Sequence, residues 1–226
     1  TTRIQVETWS DGGTALAVNP VHWVLIPYGE YSLGNSNYIK CGNLSITGGV
    51  STGLVTFTTA FPNTSYSFIC MPVLDDDAAN CVYNSTSKAA GSIRFNTQDD
   101  GEAAENVRDI NWCAFSHGEY TIGGNKFKAQ RWSIATWASN VQINFSTAFT
   151  NTSYSVVTTH GQPDLVDPSS CEVGGQMVGS FNKSCEDDGG AAGQAGEFMD
   201  WFAVENGNFD LTYTDYGSNP AIASAK

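Results

Sequence analysis

Side chains that could act as a general base or activate a nucleophile are few in this 226-residue chain. Its three histidines, His22, His117 and His160, form no His-x-His or His-Glu-x-x-His spacing, and the chain has no Gly-x-Ser-x-Gly turn. His117 is expected to be solvated at a strand end and His22 to be structural, whereas His160 precedes a long polar segment and could contact a ligand. We therefore predict no catalytic residue and no enzymatic activity.

Carboxylates are abundant but poorly spaced for chemistry. A glycosidase needs two carboxyl groups a few Å apart across the scissile bond, whereas neighbouring aspartates in glycine-rich loops are more typical of solvated turns. A calcium loop needs oxygen donors at alternate positions, a register that Asp75-Asp76-Asp77-Ala78 lacks. The expectation is therefore that the chain holds no metal ion and no cofactor.

Aromatic rings are better suited to binding a sugar, because the C–H face of a sugar stacks on a ring while carboxylates and amides accept its hydroxyls. Trp132 and Trp137 are the candidates, since each is aromatic in only one copy of the internal repeat described next. The alternative is that they pack between modules or protomers. The predicted ligand-binding residues are Trp132, Trp137, His160, Asp164, Asp167, Asp187 and Asp188.

The sequence repeats itself with a period of about 89 residues. Residues 57–68 (FTTAFPNTSYSF) match residues 145–156 (FSTAFTNTSYSV), and Trp23, Trp112 and Trp201 recur at regular intervals. This period is too long for a solenoid unit and suits a small independent sandwich. The three tryptophans are expected to lie in the cores of their modules.

Short alternating segments bounded by Gly, Asn or Pro predict strands, and no long stretch keeps a helical period. We predict an all-β fold of two tandem antiparallel β-sandwich modules plus an N-terminal partial module. The predicted boundaries are 1–29 for the C-terminal part of an upstream module or an N-terminal strand segment, 30–118 for the first module, 119–207 for the second, and 208–226 for a terminal strand and tail. The Gly-x-aromatic element at Gly29, Gly118 and Gly207 is interpreted as ending a module or linking two.

Six cysteines leave the redox state open. None forms a Cys-x-x-Cys pair, which argues against a zinc ribbon or a thioredoxin-type site. Cys70 with Cys81 and Cys171 with Cys185 could each close a short loop, but Cys70 has no cysteine counterpart in the other copy. Because a disulfide framework would be expected to recur with the repeat, free buried thiols are favoured over disulfides.

The charge balance limits the possible partners. Ten Lys and Arg against 23 Asp and Glu give a net charge of -13, which repels phosphate backbones and anionic lipid surfaces. No apolar run approaches the roughly 18 residues that a membrane span needs. We therefore predict neither nucleic-acid binding nor membrane insertion.

Several motifs of the repeat together resemble the C-terminal receptor-binding modules of bacteriophage tail fibres. They are the Val-Thr-Phe strand at 55–57, the Ala-Phe-Pro-Asn run and Tyr-Ser-Phe strand within 60–68, and the closing Trp-x-Ala strand of both copies. The resemblance covers roughly residues 36–116 and 125–205. It implies an H-type lectin-like, six-stranded antiparallel sandwich that assembles as a homotrimer and binds glycans at its loops. The chain departs from this family in its tandem duplication, its cysteines and its long segment 160–198.

The resemblance implies a receptor-binding segment of a phage tail fibre, exposed on the virion, that recognises a host cell-surface glycan through loops of the distal module. The alternative from another class is a structural fibre shaft or connector that binds no ligand. A glycan-degrading enzyme is a further, less favoured alternative.

Overall fold

The computed structural model describes residues 22–45, 52–73, 80–98, 109–122, 124–134, 141–163, 169–187 and 197–207. Within these ranges the chain forms strands and one 3-10 turn, Ser85–Ser87, but no α-helix, which confirms the all-β prediction. It follows that these ranges contain no helix of the length and apolarity needed to cross a membrane.

The strands, in chain order, are β1 (Gly29–Gly34), β2 (Asn37–Ser45), β3 (Thr52–Thr56), β4 (Tyr66–Val73), β5 (Asn80–Asn84), β6 (Ser92–Gln98), β7 (Asp109–Ser116), β8 (Gly118–Ile122), β9 (Asn125–Ser133), β10 (Val141–Asn144), β11 (Tyr154–Gln162), β12 (Ser169–Met177), β13 (Ser180–Asp187) and β14 (Phe198–Glu205).

The same strand order occurs twice. Strands β1–β7 form a four-stranded sheet, β1-β2-β7-β4, and a three-stranded unit, β3-β6-β5, while β8–β14 form β8-β9-β14-β11 and β10-β13-β12. All neighbours within these units are antiparallel. We call β1–β7 module 1 and β8–β14 module 2. Within the described ranges each contains seven strands, whereas the resemblance implied six.

The repeated Ala-Phe-x-Asn-Thr-Ser-Tyr-Ser motif builds the same corner of each core. Phe61 stacks on Tyr66 with ring centroids 4.5 Å apart, and Phe149 stacks on Tyr154 at 4.4 Å. Each tyrosine hydroxyl donates to backbone carbonyl oxygens across the core, which satisfies the hydrogen-bonding needs of these two buried groups. The motif that carries the resemblance is therefore part of the folding framework.

A buried lysine beside each corner explains the glutamate of the Gly-Glu-Tyr element. Lys40 lies 3.0 Å from Glu30, and Lys128 lies 2.8 Å from Glu119. Both ammonium groups also donate to the carbonyl of the threonine two residues before the motif's phenylalanine. Strands β1 and β8 carry this element and pair with the strands that follow them. The element therefore opens a module, and its interpretation as a module end or linker was wrong.

All six cysteines form disulfides, so the preference for free thiols was wrong. The bonds join Cys41 to Cys113, Cys70 to Cys81 and Cys171 to Cys185. The second and third are the short loops seen in the sequence, but they close different strand pairs: β4 to β5 across the core in module 1, and β12 to β13 within a sheet in module 2. Non-recurrence with the repeat was therefore no argument against them.

The outer faces of the two four-stranded sheets pack against each other. Phe115 of β7 stacks on Phe202 of β14 with ring centroids 3.8 Å apart, and Phe127 of β9 joins the same apolar cluster. The modules also meet edge to edge, because the ends of β5 and β11 pair in parallel with Tyr83 opposite Gly161. A seven-stranded sheet, β3-β6-β5-β11-β14-β9-β8, therefore runs through both modules.

Strand β4 is the edge of its sheet, and module 2 supplies acceptors for its outward N–H groups. The Phe68 N–H donates to Asp200 Oδ2 at 2.8 Å, and the Cys70 N–H donates to Thr159 Oγ1 at 3.1 Å. An uncovered edge would present these donors to another chain. Docking of the modules therefore satisfies an edge that module 1 alone would leave open.

The three repeated tryptophans do not share one environment. Trp201 is buried in the core of module 2, and Trp112 packs against the core of module 1. Trp23, in an extended segment before β1, is 62% exposed. Within the described part of the chain, Trp23 therefore does not occupy the core position that was predicted for it in its own module.

Candidate functional site

Three strands of module 2 end on the same side of the sandwich. Ser133 at the end of β9 and Gly161 near the end of β11 both pair with Phe198 at the start of β14. Asp187 at the end of β13 pairs with Ser169 at the start of β12. We call these strand termini the loop end of module 2. The predicted residues Trp137, Asp164, Asp167 and Asp188 fall in the segments that follow these strands and lie outside the described residues, as does the side chain of Asp187.

The structure brings two predicted residues, Trp132 and His160, to one face of a sheet near this end. Both pair with Met199 of β14, a fully buried core residue, so their side chains point into the core of module 2. Lys183 reaches them from β13 of the facing sheet, and its Nζ lies 3.9 Å from the centroid of the Trp132 ring. A cation therefore occupies part of the indole surface that was predicted to stack on a sugar.

Lys183 is the residue that sequence reasoning missed. It is only 1% exposed, and among the described residues the single polar contact of its Nζ is Cys185 Sγ at 3.6 Å. Burial lowers the pKa of Lys183 to about 8. The matching residue of module 1 is the fully buried Phe95, because Phe95 and Lys183 are each the fourth residue of their strands, β6 and β13. Lining up the two copies would have exposed this exchange of a phenylalanine for a lysine.

Trp132 and His160 also replace apolar residues of module 1. In module 2, both residues are cross-strand neighbours of Met199. In module 1, Ile110 stands at the position of Met199, and its cross-strand neighbours are Leu44 and Pro72. The loop end of module 2 therefore differs from that of module 1 at three neighbouring core positions, and each change introduces a group with hydrogen-bonding capacity.

His160 lies near the end of β11, where the sequence placed it, but it is enclosed. It is 3% exposed, and its Nδ1 lies 3.5 Å from Nε2 of the buried Gln162. Burial, with a smaller contribution from the nearby Lys183 charge, lowers the pKa of His160 to about 4. At neutral pH it is an uncharged imidazole within the core of module 2.

A second polar cluster lies between the modules and is centred on Asp200 of β14. Its carboxylate is fully buried. It accepts hydrogen bonds from Arg131 Nε at 2.8 Å and from Lys88 Nζ at 3.0 Å, and a third from the backbone N–H of Phe68 in β4. Arg131 also donates to the hydroxyl of Tyr83 at 2.8 Å. Lys88 and Tyr83 belong to module 1, whereas Asp200 and Arg131 belong to module 2. The cluster therefore joins the two modules through charge-assisted hydrogen bonds.

Burial and pairing act on this cluster in opposite directions. Burial opposes ionisation of Asp200, but Lys88 and Arg131 outweigh it and hold the pKa of Asp200 below its usual value. Burial lowers the pKa of Lys88 to about 8, although Asp200 favours its charged form. Burial, followed by the Asp200 charge, raises the pKa of Tyr83 well above its usual value. Because the carboxylate is enclosed and partnered from both modules, this arrangement is suited to holding the two modules together.

His117 belongs to the margin of this cluster, so the expectation of a solvated strand end was wrong. Its Nε2 is buried and has no hydrogen-bond partner among the described residues. Burial lowers its pKa to about 4, with Asp200 acting against that shift and Lys88 acting with it. The described ranges contain no group of three or more His, Cys, Asp or Glu side chains that could hold a metal ion.

The fold places the chain in the class of all-β proteins built from antiparallel sandwich-type sheets. Comparison with known proteins adds no family to this class, because no protein-family model matches the chain and neither the curated proteins nor the solved structures contain a match.

Proposed function

We propose that this chain is a receptor-binding segment of a phage-type tail fibre that recognises a host cell-surface glycan through the loop end of module 2. The observation that carries the proposal is the exchange of three apolar core positions for Trp132, His160 and Lys183. Among the described residues the Lys183 ammonium has no carboxylate partner, and burying an ammonium in this way costs a protein several kcal/mol. The buried Phe95 at the matching position of module 1 shows that the repeat folds without a lysine there. Local violations of folding rules of this kind are typical of functional sites.

The ligand is expected to be uncharged and rich in hydroxyl groups. The net charge of -13 repels anionic ligands, and the segments that follow β11 and β13 carry Asp164, Asp167 and Asp188. Carboxylates accept hydrogen bonds from sugar hydroxyls, while Lys183 and the indole N–H of Trp132 can donate. Three disulfides further support a protein that works outside the cell, since such bonds persist in oxidising surroundings.

A binding experiment with matched variants tests this proposal. Purified chain is applied to a glycan array and to intact bacterial cells, together with Lys183→Met, Trp137→Ala and Asp188→Ala. We expect host-restricted binding that each variant weakens about tenfold or more, the equivalent of losing one good polar contact or ring contact. Leu54→Ser, at an exposed position of module 1, serves as control and should bind normally. Retention of full binding by all three variants would show that the site lies elsewhere.

The second candidate, a structural shaft or connector, is favoured by the inter-module contacts. Asp200, Arg131 and Lys88 fix the two modules relative to each other without exposing a ligand site. Under this alternative neither glycans nor cells would bind. Light scattering bears on both fibre hypotheses, because the trimer implied by the resemblance is expected for each and a stable monomer would contradict both.

A further inference from the structure

The segment before β1 buries one of its faces and exposes the other. Val24 and Ile26 pack into the apolar cluster formed by the outer faces of both modules, whereas Trp23 and Leu25 are each 62% exposed. The alternation is that of an extended strand with two apolar faces. Large apolar side chains adjacent on one surface are typical of a face that another element covers.

The repeat shows which face is which. Val24 and Ile26 match Cys113 and Phe115 of β7, and Phe115 faces module 2, where it stacks on Phe202. The exposed Trp23 and Leu25 instead match two β7 residues that face the core of their own module, namely Trp112 and Ala114. The segment therefore contacts module 1 with the face that β7 turns towards module 2, and it exposes the face that β7 turns towards its own core.

A polar contact repeats the same arrangement. Tyr28 donates its hydroxyl to Asn111 Oδ1 at 2.6 Å. Tyr28 matches His117, and Asn111 matches Asp200, whose charge acts on His117 at the junction of the two modules. The apolar contacts and the polar contact therefore indicate the same arrangement. Residues 22–28 contact module 1 in the way that the end of β7 contacts module 2.

From this correspondence we infer that residues 22–28 are the closing strand of a further module of the same seven-stranded plan, docked ahead of module 1. The occupant of the exposed Trp23 and Leu25 face is the rest of that module, whose core these two side chains complete. The modules then form a serial array, in which the closing strand of each module packs on the module that follows it in the chain. This inference is independent of glycan binding, since an array can serve a binding fibre or a structural one.

Paired double variants of the present chain give the first test. Trp23→Ser with Leu25→Ser should shift the melting temperature by about 2 °C or less, because these side chains are uncovered here. Val24→Ser with Ile26→Ser should lower it by several degrees, because it removes apolar contacts with the cluster between the two outer faces. Equal losses in both would show that Trp23 and Leu25 are already covered, and would overturn the inference. A dimer that Trp23→Ser abolishes would assign the face to a second copy instead.

A lengthened chain gives the second test. A copy of residues 30–118 is placed directly before residue 30, in place of residues 1–29, so that a complete module precedes module 1. Small-angle scattering should then show a rigid three-module particle with equal spacing. As a control, Phe115→Ser is made in the added copy alone. This substitution removes the side chain that docks on module 1 but leaves the core of the added copy intact, so the added copy should detach from module 1. An unaltered copy that tumbles freely would contradict serial docking.

Discussion

At the scale of single residues, the two copies of the module show which side chains folding requires. The corner residues Tyr66 and Tyr154 each donate a hydrogen bond to a backbone carbonyl of their own module, and Lys40 and Lys128 occupy matching buried positions. Lys183 has no such parallel, because its counterpart is Phe95. The seven-stranded fold therefore does not by itself explain the buried charge of Lys183.

Replacing Lys183 separates stability from binding. Lys183→Met should raise the free energy of unfolding by about 2–3 kcal/mol near pH 7, because the lysine's pKa of about 8 lies below the ordinary value of 10.5. The substitution stabilises the folded state because the Lys183 amine binds its proton more tightly in the unfolded chain than in the folded one, and methionine removes this difference. Urea denaturation with and without the substitution measures this, and a loss of stability would indicate that Lys183 has a carboxylate partner in the folded protein.

Two buried histidines should make the protein sensitive to mild acid. His117 and His160 have pKa values of about 4 when folded, against 6.5 as the ordinary value. Because the unfolded chain takes up these protons first, stability is complete above about pH 6.5 and falls as the pH drops towards 4. Thermal melts at pH 7 and pH 5 should show this decline, and His117→Asn with His160→Gln should reduce it. Asparagine already stands at the matching position of module 2, Asn206.

At the scale of elements, the prediction of strands rather than helices followed from the sequence, because alternation and turn residues act over a few neighbours. The order of strands within each sheet did not follow, since pairing depends on which edges meet in three dimensions. The Gly-Glu-Tyr element shows the difference. Its glutamate looks like part of a linker in the sequence, but in the structure it pairs with a buried lysine of the next strand.

The parallel contact between β5 and β11 depends on a glycine. A Cβ at Gly161 would lie 2.1 Å from the ring of Tyr83, which itself holds Arg131. Gly161→Ala should therefore displace the ring and cost about 1–3 kcal/mol, as overpacking usually does. Gly174→Ala is the control, since nothing lies within 4 Å of a Cβ there. Chemical denaturation compares the two, and equal stabilities would argue against close approach of these strands.

At the scale of the whole molecule, the charged cluster at the junction distinguishes this interface from the other polar surfaces of the repeat. Asn43 and Asn111 of module 1 match Arg131 and Asp200, and the asparagine pair is also hydrogen-bonded, at 3.1 Å. Gln176 likewise matches Lys88, and both side chains donate to the carbonyl of the corner tyrosine. At these three matching positions, charged residues stand where the two modules meet and neutral residues stand in the other copy.

The cluster should make unfolding of the two modules cooperative. Asp200→Asn leaves Lys88 and Arg131 buried without a counter-charge and should cost about 3–5 kcal/mol. Adding Arg131→Asn and Lys88→Gln introduces the neutral residue types that stand at the matching positions, Asn43 and Gln176, and should recover much of that loss. Calorimetry is the measurement, with a splitting of the transition expected in the single variant. If the triple variant were less stable than the single one, the charges would not be acting as a unit.

The amino-acid sequence by itself determined the all-β class, the 89-residue period and the corner motif, because each depends on short-range alternation, turn chemistry and internal comparison. It also pointed to Trp132 and His160, which the structure brings together on one sheet face. Only the tertiary structure revealed Lys183 beside them, the Cys41–Cys113 disulfide and the Lys88–Asp200 pair, whose members are 112 residues apart. Such contacts depend on how sheets pack and edges meet, which local sequence patterns do not specify.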